Sequence, residues 1–285
     1  MNTPLKVLNQ TLKIFLIFST ILCCSANAEE NENKRGIVRR MIGGKDVEIK
    51  DYPFMIALFL EVNDIDVEDE ETFLASYSLI TTKTALGAAH PIANKEPDEI
   101  YGSIGDKDKF LGQKVYFKEL IPHPYYKGAL FLYDIALLIL DSAVSLSSGS
   151  LPPHVQTIAL PRTNKEYYSG MATMVGWGII GADRKDTTRF LKATSISIVN
   201  ASDTIYKDNP LYECRSVVLT QQAGVSMMPG DSGGPLVYEK DDGKRVQIGV
   251  LSTGQMIPDG VNVYVSTSFF LDFIKEYCEG DITFV

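Results

Sequence analysis

The six residues GDSGGP, at positions 230 to 235, place one serine among three glycines and a proline. Such a stretch is either an ordinary surface turn or a backbone shaped to hold Ser232 in a reactive position. A serine hydroxyl becomes a nucleophile when a neighbouring base removes its proton, and that base needs an acid to fix its tautomer. The choice between the two interpretations therefore depends on whether the chain supplies a suitable histidine and a buried carboxylate.

Among the three histidines of the chain, His90 is the best candidate for the base. It follows small residues in TALGAAHP, which let other backbone segments approach closely, whereas His123 and His154 lie in proline-flanked turns. Asp134 is the candidate acid because it lies within the apolar run YDIALLILD, where a buried carboxylate is costly unless it is paired. The alternative is an aspartate at a strand edge facing water, and Asp141 at the end of the run is interpreted as a turn residue.

Short strands must position these residues. Alternating or apolar runs predict strands, because successive side chains of a strand point to opposite faces. These runs lie at 114–121, 193–199, 245–251 and 261–265. Many short strands with frequent turns are typical of a sandwich or of barrels. A helix is predicted in STSFFLDFIKEYCEG, with Ser268 as its N-terminal cap and Gly280 as its end.

The first 40 residues differ in composition from the rest. Lys6 and Lys13 precede the short apolar run IFLIFSTILC, and small residues follow at 26–28, which predicts a secretory signal peptide over residues 1–28. An uncleaved anchor is the alternative, although the run is short for a membrane span. A polar stretch at 29–40 then ends in two arginines. We therefore expect a secreted, extracellular protein.

The remainder of the chain is acidic. Removing residues 1–40 takes away 6 of 27 basic and 3 of 36 acidic residues, which leaves a net charge of −12. Such a surface argues against nucleic acid or an anionic membrane as a partner. Part of the charge lies in EVNDIDVEDEET at 61–72, whose spacing does not match a helix–loop–helix calcium site. We interpret it as a solvated loop, and no metal or cofactor is implied.

The order of these motifs resembles that of the chymotrypsin/trypsin family of serine proteases. The motifs MIGG, AAH, YDIALL, GWG and GDSGGP occur in the family's order and at about its spacings, across essentially all of residues 41–285. The resemblance implies an all-β fold of two antiparallel six-stranded β-barrels with a C-terminal α-helix. Barrel one would span about 41–148 and barrel two about 149–285, with a linker near 145–154 and the active site between them.

The resemblance assigns a role to each candidate residue. His90 would be the general base and then the general acid, Asp134 would orient it, and Ser232 would attack the scissile carbonyl to form an acyl-enzyme. The backbone N–H groups of Gly230 and Ser232 would form the oxyanion hole. The implied protein is a monomeric serine endopeptidase that acts on proteins or peptides and that protein inhibitors can block.

The resemblance also implies synthesis as a zymogen. Residues 29–40 would be an activation propeptide, which an activating protease removes by cutting after Arg40. The new ammonium group of Met41 would then pair with Asp231 and lock the oxyanion loop. Methionine replaces the usual isoleucine or valine at this position, and its flexibility is expected to weaken activation without preventing it.

The resemblance places Ser226 at the floor of the specificity pocket. Because Ser226 is neutral, we expect an uncharged, apolar residue before the scissile bond rather than arginine or lysine. The other substrate-binding residues would be Ser252, Thr253, Gly254 and Asn262. Thr253 and Asn262 replace a tryptophan and a glycine that are usual in the family, so the resemblance does not determine the shape of the pocket.

Three further features concern covalent and structural roles. Cys214 and Cys278 remain after removal of the signal, and an oxidising compartment favours a disulfide between them, with two free thiols as the alternative. Such a bond would be atypical of the family.

Asn200 begins the sequon NAS and is a candidate for glycosylation. Trp177, the one tryptophan, is interpreted as a packing residue beside the oxyanion loop rather than a substrate contact.

Two other functional classes remain open. A catalytically silent homologue that binds partners or acts as a cofactor is favoured by Met41, by the altered pocket walls, and by Pro91 and Met228, which stand where the family commonly has half-cystines. The complete set of triad residues argues against it. An esterase or lipase would fit the letters GxSxG, but the strand-like PLVYEK follows the serine, and the order of acid and histidine differs from that class.

Overall fold

The computed structural model describes residues 44–61, 72–128, 131–148, 153–178, 188–257 and 259–285. The predicted signal peptide, the propeptide, Arg40, Met41 and nearly all of the acidic loop at 61–72 lie outside the described residues, as does the middle of the linker. In the described ranges no helix is long and apolar enough to cross a membrane.

Strands dominate the described part of the chain. They are β1 (Lys45–Asp46), β2 (Met55–Leu60), β3 (Phe73–Leu79), β4 (Thr84–Gly87), β5 (Ile100–Ile104), β6 (Gln113–Val115), β7 (Phe117–Pro122), β8 (Ala136–Leu140), β9 (Gly170–Gly176), β10 (Lys192–Val199), β11 (Val217–Gln221), β12 (Pro235–Glu239), β13 (Arg245–Gly254) and β14 (Asn262–Ser266). One α-helix, α1 (Leu271–Tyr277), and four short 3-10 turns, Ile49–Asp51, Pro97–Glu99, Ala201–Asp203 and Pro210–Tyr212, complete these ranges.

The first sheet has the strand order β6-β5-β2-β3-β4-β8-β7. Its end strands β6 and β7 are separated only by Tyr116, and they pair with β5 and β8, respectively. The segment 113–122 therefore joins the two edges of the sheet, which curls it into a barrel-like layer. Counted as one strand, this segment gives the first barrel its six predicted strands.

The second sheet has the order β1-β10-β11-β14-β13-β12-β9, and β9 also pairs with β10. These pairings close a six-stranded barrel to which β1 is added at one edge. All named strand pairs in both sheets are antiparallel. The predicted all-β fold with two antiparallel barrels and a C-terminal helix is confirmed.

Both ends of the described domain cross the expected boundary between the barrels. Lys45 of β1 pairs with Ala193 of β10, so the start of the domain belongs to the second sheet. The buried side chains of α1, among them Leu271 and Ile274, pack into the hydrophobic core of the first sheet. Each barrel is thus held by a segment from the other end of the chain.

The helix differs in one detail from its prediction. It begins after Phe270, without a side-chain cap. Ser268, predicted as the cap, instead donates its hydroxyl to the carbonyl of Glu166 at 3.3 Å. The prediction was wrong because this distant carbonyl takes up the hydroxyl and the chain enters the helix two residues later.

Buried packing in the first barrel positions the turn that carries His90. Tyr77 is fully buried, and its ring fills the space where Gly87 has no side chain. The Tyr77 hydroxyl donates to the carbonyl of Ala88, two residues before His90. The small residues of TALGAAHP therefore make room for an aromatic ring from β3, which anchors this turn in the core.

Candidate active site

Asp134 and His90 form a buried pair at the edge of the first barrel. Asp134 is 1% exposed and lies two residues before β8. One carboxylate oxygen accepts the backbone N–H groups of Ala89 and His90, each at 2.8 Å. The other accepts His90 Nδ1 at 2.8 Å and the hydroxyl of Ser252 at 2.5 Å. These four donors satisfy the buried carboxylate, so Asp134 is not an aspartate facing water at a strand edge.

This pair sets the chemistry of the histidine ring. Because an ionised carboxylate only accepts hydrogen bonds, the contact requires a proton on Nδ1 of His90. The other nitrogen, Nε2, then has a free lone pair that can take a proton from a hydroxyl group. The ring is 35% exposed on its open side. The Nδ1 side of the ring is thus held by Asp134, and the ring is accessible to solvent.

Residues 230–234 form a loop, called the serine loop below, in which backbone hydrogen bonds hold Ser232 between the two barrels. Its carbonyl accepts the N–H of Ser76 on β3 at 3.0 Å, and the next residue, Gly233, donates to the carbonyl of Leu251 on β13 at 2.7 Å. Gly233 has φ +79° and packs against Tyr77 and the N–H of Ala88, where a Cβ atom would not fit. The serine loop thus lies against the same core residues that anchor the His90 turn.

The hydroxyl of Ser232 is not yet engaged. Within the described ranges no hydrogen bond joins Ser232 Oγ to His90 Nε2. Such bonds are often long before substrate binds, because closing of the catalytic geometry accompanies complex formation.

Two backbone N–H groups of the serine loop are available as oxyanion donors. The N–H groups of Gly230 and Ser232 donate to no residue in the described part of the chain. Gly230 has φ +95°, and the ring of Phe73 lies where its Cβ atom would be. Only glycine combines this left-handed backbone with so close a neighbour. The backbone angle and the contact with Phe73 therefore require glycine at position 230, whereas an ordinary surface turn would not.

Ser76 connects the serine loop to Trp177, which follows β9 of the second barrel, and the sequence did not suggest this role. Its hydroxyl donates to the carbonyl of Gly230 at 3.0 Å and accepts the N–H of Trp177 at 3.3 Å. Trp177 is 1% exposed, and its indole N–H donates to the carbonyl of Lys107 at 2.9 Å. The tryptophan is a buried packing residue, and one hydroxyl from β3 fixes the peptide that follows Gly230.

Replacing Ser76 with alanine is expected to lower kcat between about 10-fold and 100-fold, with a much smaller change in KM. The Gly230–Asp231 peptide, which lies between the two donor N–H groups, would lose the hydrogen bond to its carbonyl, and oxyanion donors act only when their direction is fixed. The buried N–H of Trp177 would also lose its acceptor, which lowers the free energy of unfolding by about 1–3 kcal/mol. Steady-state kinetics and urea unfolding measure the two effects.

Ser78 provides the matched control. It lies on the same face of β3, is equally buried, and donates to Gln247 Oε1 at 2.6 Å, away from the serine loop. Ser78→Ala should therefore destabilise the fold to a similar extent and leave kcat nearly unchanged. Equal losses of kcat in both variants would show that Ser76 acts only through stability.

Asp231 is a second buried carboxylate, on the far side of the serine loop. It is 1% exposed and accepts the backbone N–H groups of Gly178 at 2.8 Å and Met228 at 3.1 Å. Burial raises the pKa of its carboxyl from 3.8 to about 6, because the two backbone donors offset only part of the loss of water. No cationic side chain in the described residues pairs with it. The group predicted to pair with it is the new ammonium group of Met41, which lies outside the described ranges.

The residues predicted to bind substrate lie together beside the serine loop. Ser252, Thr253 and Gly254 are consecutive on β13, and Gly254 pairs with Asn262 on β14. Ser226 is 3% exposed, and its hydroxyl donates to the carbonyl of Gln255. Ser252 has the additional contact with Asp134, which connects this wall directly to the first barrel.

The two cysteines are free thiols in the structure, so the predicted disulfide is not formed. Cys214 Sγ contacts the carbonyl of Leu211 at 2.9 Å and the hydroxyl of Ser216 at 2.8 Å. Cys278 instead packs against the core of the first barrel, where burial raises the pKa of its thiol. Pairing was predicted from the compartment alone, whereas each thiol is held by a different part of the fold.

The structure also describes the surroundings of the sequon, of a second histidine and of the acidic side chains. Asn200 of the sequon is exposed and accepts the hydroxyl of Tyr167 at 3.1 Å. His123 lies in an aromatic cluster with Tyr133 and Phe273, where burial lowers the pKa of its imidazole. No group of three or more His, Cys, Asp or Glu side chains that could hold a metal ion occurs within the described ranges.

Two antiparallel barrels with an aspartate–histidine pair and a serine loop at their junction define a double-barrel serine protease architecture. The family model for trypsin matches residues 41–274. The chain belongs to the trypsin family of serine proteases.

Three curated proteins show the range of relatives. The clotting factor G beta subunit of Tachypleus tridentatus is 25% identical over 266 residues, which cover 86% of this chain and 82% of that protein. The suppressor of tumorigenicity 14 protein homolog of Bos taurus is 27% identical over 83% of this chain, and protein masquerade of Drosophila melanogaster is 29% identical over 83%. The matches cover only 28% and 23%, respectively, of these two longer proteins.

Proposed function

We propose that this chain is a secreted serine endopeptidase, made as a zymogen, that uses Ser232, His90 and Asp134 as its catalytic triad. The observation that carries the proposal is the buried Asp134 carboxylate, which holds Nδ1 of His90 at 2.8 Å and so leaves Nε2 free to accept a proton. Ser232 lies in a loop anchored beside this pair, and the free N–H groups of Gly230 and of Ser232 itself supply the oxyanion site.

The reaction follows from these positions. Nε2 of His90 takes the hydroxyl proton of Ser232 as Oγ bonds to the scissile carbonyl carbon. The carbonyl oxygen becomes an oxyanion, which the N–H groups of Gly230 and Ser232 stabilise. The C–N bond breaks as His90 returns the proton to the leaving amine, which leaves an acyl-enzyme. Water then attacks with His90 again as the base, which releases the acid and restores Ser232.

Activation and specificity are part of the same proposal. Cutting after Arg40 would create the ammonium of Met41 as the missing positive partner of buried Asp231, with residues 29–40 released as propeptide. The neutral Ser226 offers no carboxylate to bind an arginine or lysine side chain, so the enzyme is not specific for basic residues. Its partners are protein or peptide substrates, an activating protease and protein inhibitors, with the enzyme acting as an extracellular monomer.

A catalytically silent, partner-binding homologue is the second candidate. It is favoured by one observation: the side chains of Ser226 and Asn262, assigned to substrate binding, are buried and hydrogen-bonded within the protein. A protein with this arrangement and an unassembled triad would retain the fold of the family without hydrolysing peptide bonds.

Labelling with a fluorophosphonate probe separates the two candidates, because the probe reacts only with an activated serine. The full proprotein, the chain that begins at Met41 and its Ser232→Ala variant are compared. Strong labelling of the chain from Met41 alone is the expected result. A folded Met41 chain that remains unlabelled, with circular dichroism matching that of the Ser232→Ala variant, would favour the silent homologue.

A further inference from the structure

The cleft beside Ser232 has two walls that a substrate side chain must pass between. The resemblance to the family assigns Ser226 and the residues 252–254 to the walls that receive the side chain before the scissile bond. The segment that begins at Ser226 leads into the serine loop, and the second segment continues β13 from Leu251, which is hydrogen-bonded to Gly233 and Gly234. The space between these segments therefore decides which residue can precede the scissile bond.

The side chain of Met227 occupies this space. Met227 is 3% exposed, and its Cγ atom would lie 2.8 Å from a methyl group added to Gly254. The thioether chain therefore crosses from one wall and rests directly on the backbone of the other. A second bulky side chain cannot enter between them while Met227 remains in this position.

Two hydrogen-bonded side chains hold Met227 where it is. Asn262 is fully buried, and its amide oxygen accepts the N–H of Met227 at 2.7 Å. Ser226 donates its hydroxyl to the carbonyls of Met227 and Gln255, so it ties one wall to the other. Ser226 and Asn262, predicted to lie at the floor and wall of the specificity pocket, thus hold Met227 inside it.

We infer that Met227 fills the specificity pocket and that the enzyme cleaves after glycine, alanine or serine, whose side chains need no deep pocket. This inference rests on the proposed endopeptidase function. A larger side chain would have to expel Met227 from its buried site and break its packing against Gly254. Since one extra methylene in a filled pocket already reduces kcat/KM by about 10- to 200-fold, leucine, phenylalanine and arginine should all be rejected.

The test uses the chain that begins at Met41 and peptide substrates that differ only in the residue before the scissile bond. Alanine, leucine, phenylalanine and arginine are compared, both as substrates and as peptidyl phosphonate probes that require no turnover. We expect kcat/KM and the rate of labelling to be at least about 100-fold higher with alanine than with any of the other three. Equal or faster reaction with leucine, phenylalanine or arginine would overturn the inference.

Met227→Ala should open the pocket and raise the reactivity toward leucine and phenylalanine, relative to alanine, by at least about 10-fold. Met174→Ala is the matched control, because Met174 is a similarly buried methionine in the same hydrophobic cluster but lies on β9. It should lose comparable stability and keep the preference of the unmodified chain. An unchanged preference in Met227→Ala would also contradict the inference.

Fluorophosphonate labelling of the same preparations separates failure of this inference from failure of the proposed function. If the protein is labelled but shows no preference for small residues, only the role of Met227 is disproved. If the protein is folded but is not labelled, the endopeptidase function is disproved, and the inference that rests on it is disproved as well.

Discussion

Asp134→Asn is expected to lower kcat by about 10⁴-fold, with the fold intact. All four hydrogen bonds to the Asp134 side chain are donated to it, by two backbone N–H groups, by His90 Nδ1 and by Ser252. An asparagine must turn its own NH₂ group toward some of these donors. If that group faces Nδ1, the imidazole proton moves to Nε2, and His90 can no longer act as a base toward Ser232.

The measurement is kcat of the activated chain against its best peptide substrate, with urea unfolding as a check on the fold. Asp141→Asn is the matched control, because Asp141 follows β8 directly and its side chain is exposed. It should retain nearly full activity. A loss below about 10-fold in Asp134→Asn would mean that the carboxylate does not fix the tautomer of His90.

The sequence was enough to predict the fold and to select candidate site residues, for particular reasons. Positions 230 and 233 of GDSGGP require glycine because both have positive φ and close neighbours. These structural constraints are therefore visible in the sequence as glycine residues. Asp134 stands out because a carboxylate inside an apolar run requires buried partners. The strand runs at 193–199 and 245–251 lie within β10 and β13.

Other features depend on contacts between distant segments, which single-sequence patterns do not encode. Ser76 appears as one more residue of an ordinary strand, because its partner Gly230 is 154 positions away. The direction of the Met227 side chain follows from its packing against Gly254, not from the neighbours of Met227 in the chain. The addition of β1 to the second sheet is likewise a pairing decided by tertiary structure.

Cutting after Arg40 is expected to raise kcat by about 100- to 1000-fold, the effect of one oxyanion donor. Asp231 lies between Gly230 and Ser232, and its carboxylate accepts the N–H groups of Gly178 and Met228, so fixing this carboxylate should also fix the segment that supplies both donors. An ammonium group at Met41 would give this buried carboxylate a charged partner and fix the loop. Arg40→Gln should prevent both the cut and the gain, whereas a separately produced chain that begins at Met41 should be active without processing.

The same event should change how stability depends on pH. In the intact chain folding raises the pKa of Asp231 from 3.8 to about 6, so the folded state holds its proton more tightly than the unfolded state. This contribution is fully present below pH 3.8 and is lost as pH rises to about 6, a decrease of about 3 kcal/mol in the free energy of unfolding. A paired ammonium favours the ionised carboxylate, so the cut chain should recover most of that loss near pH 7.5.

Urea unfolding of the intact and cut chains at pH 4.0 and pH 7.5 measures this difference, with kcat recorded for the same preparations. The cut should stabilise the protein more at pH 7.5 than at pH 4.0. Asp231→Asn removes the titrating group, so the stabilising effect of the cut should become nearly independent of pH and the gain in kcat should disappear. An intact chain with kcat within about 10-fold of the cut chain would show that the oxyanion loop is already ordered, by Ser76 and Trp177 alone, without the new terminus.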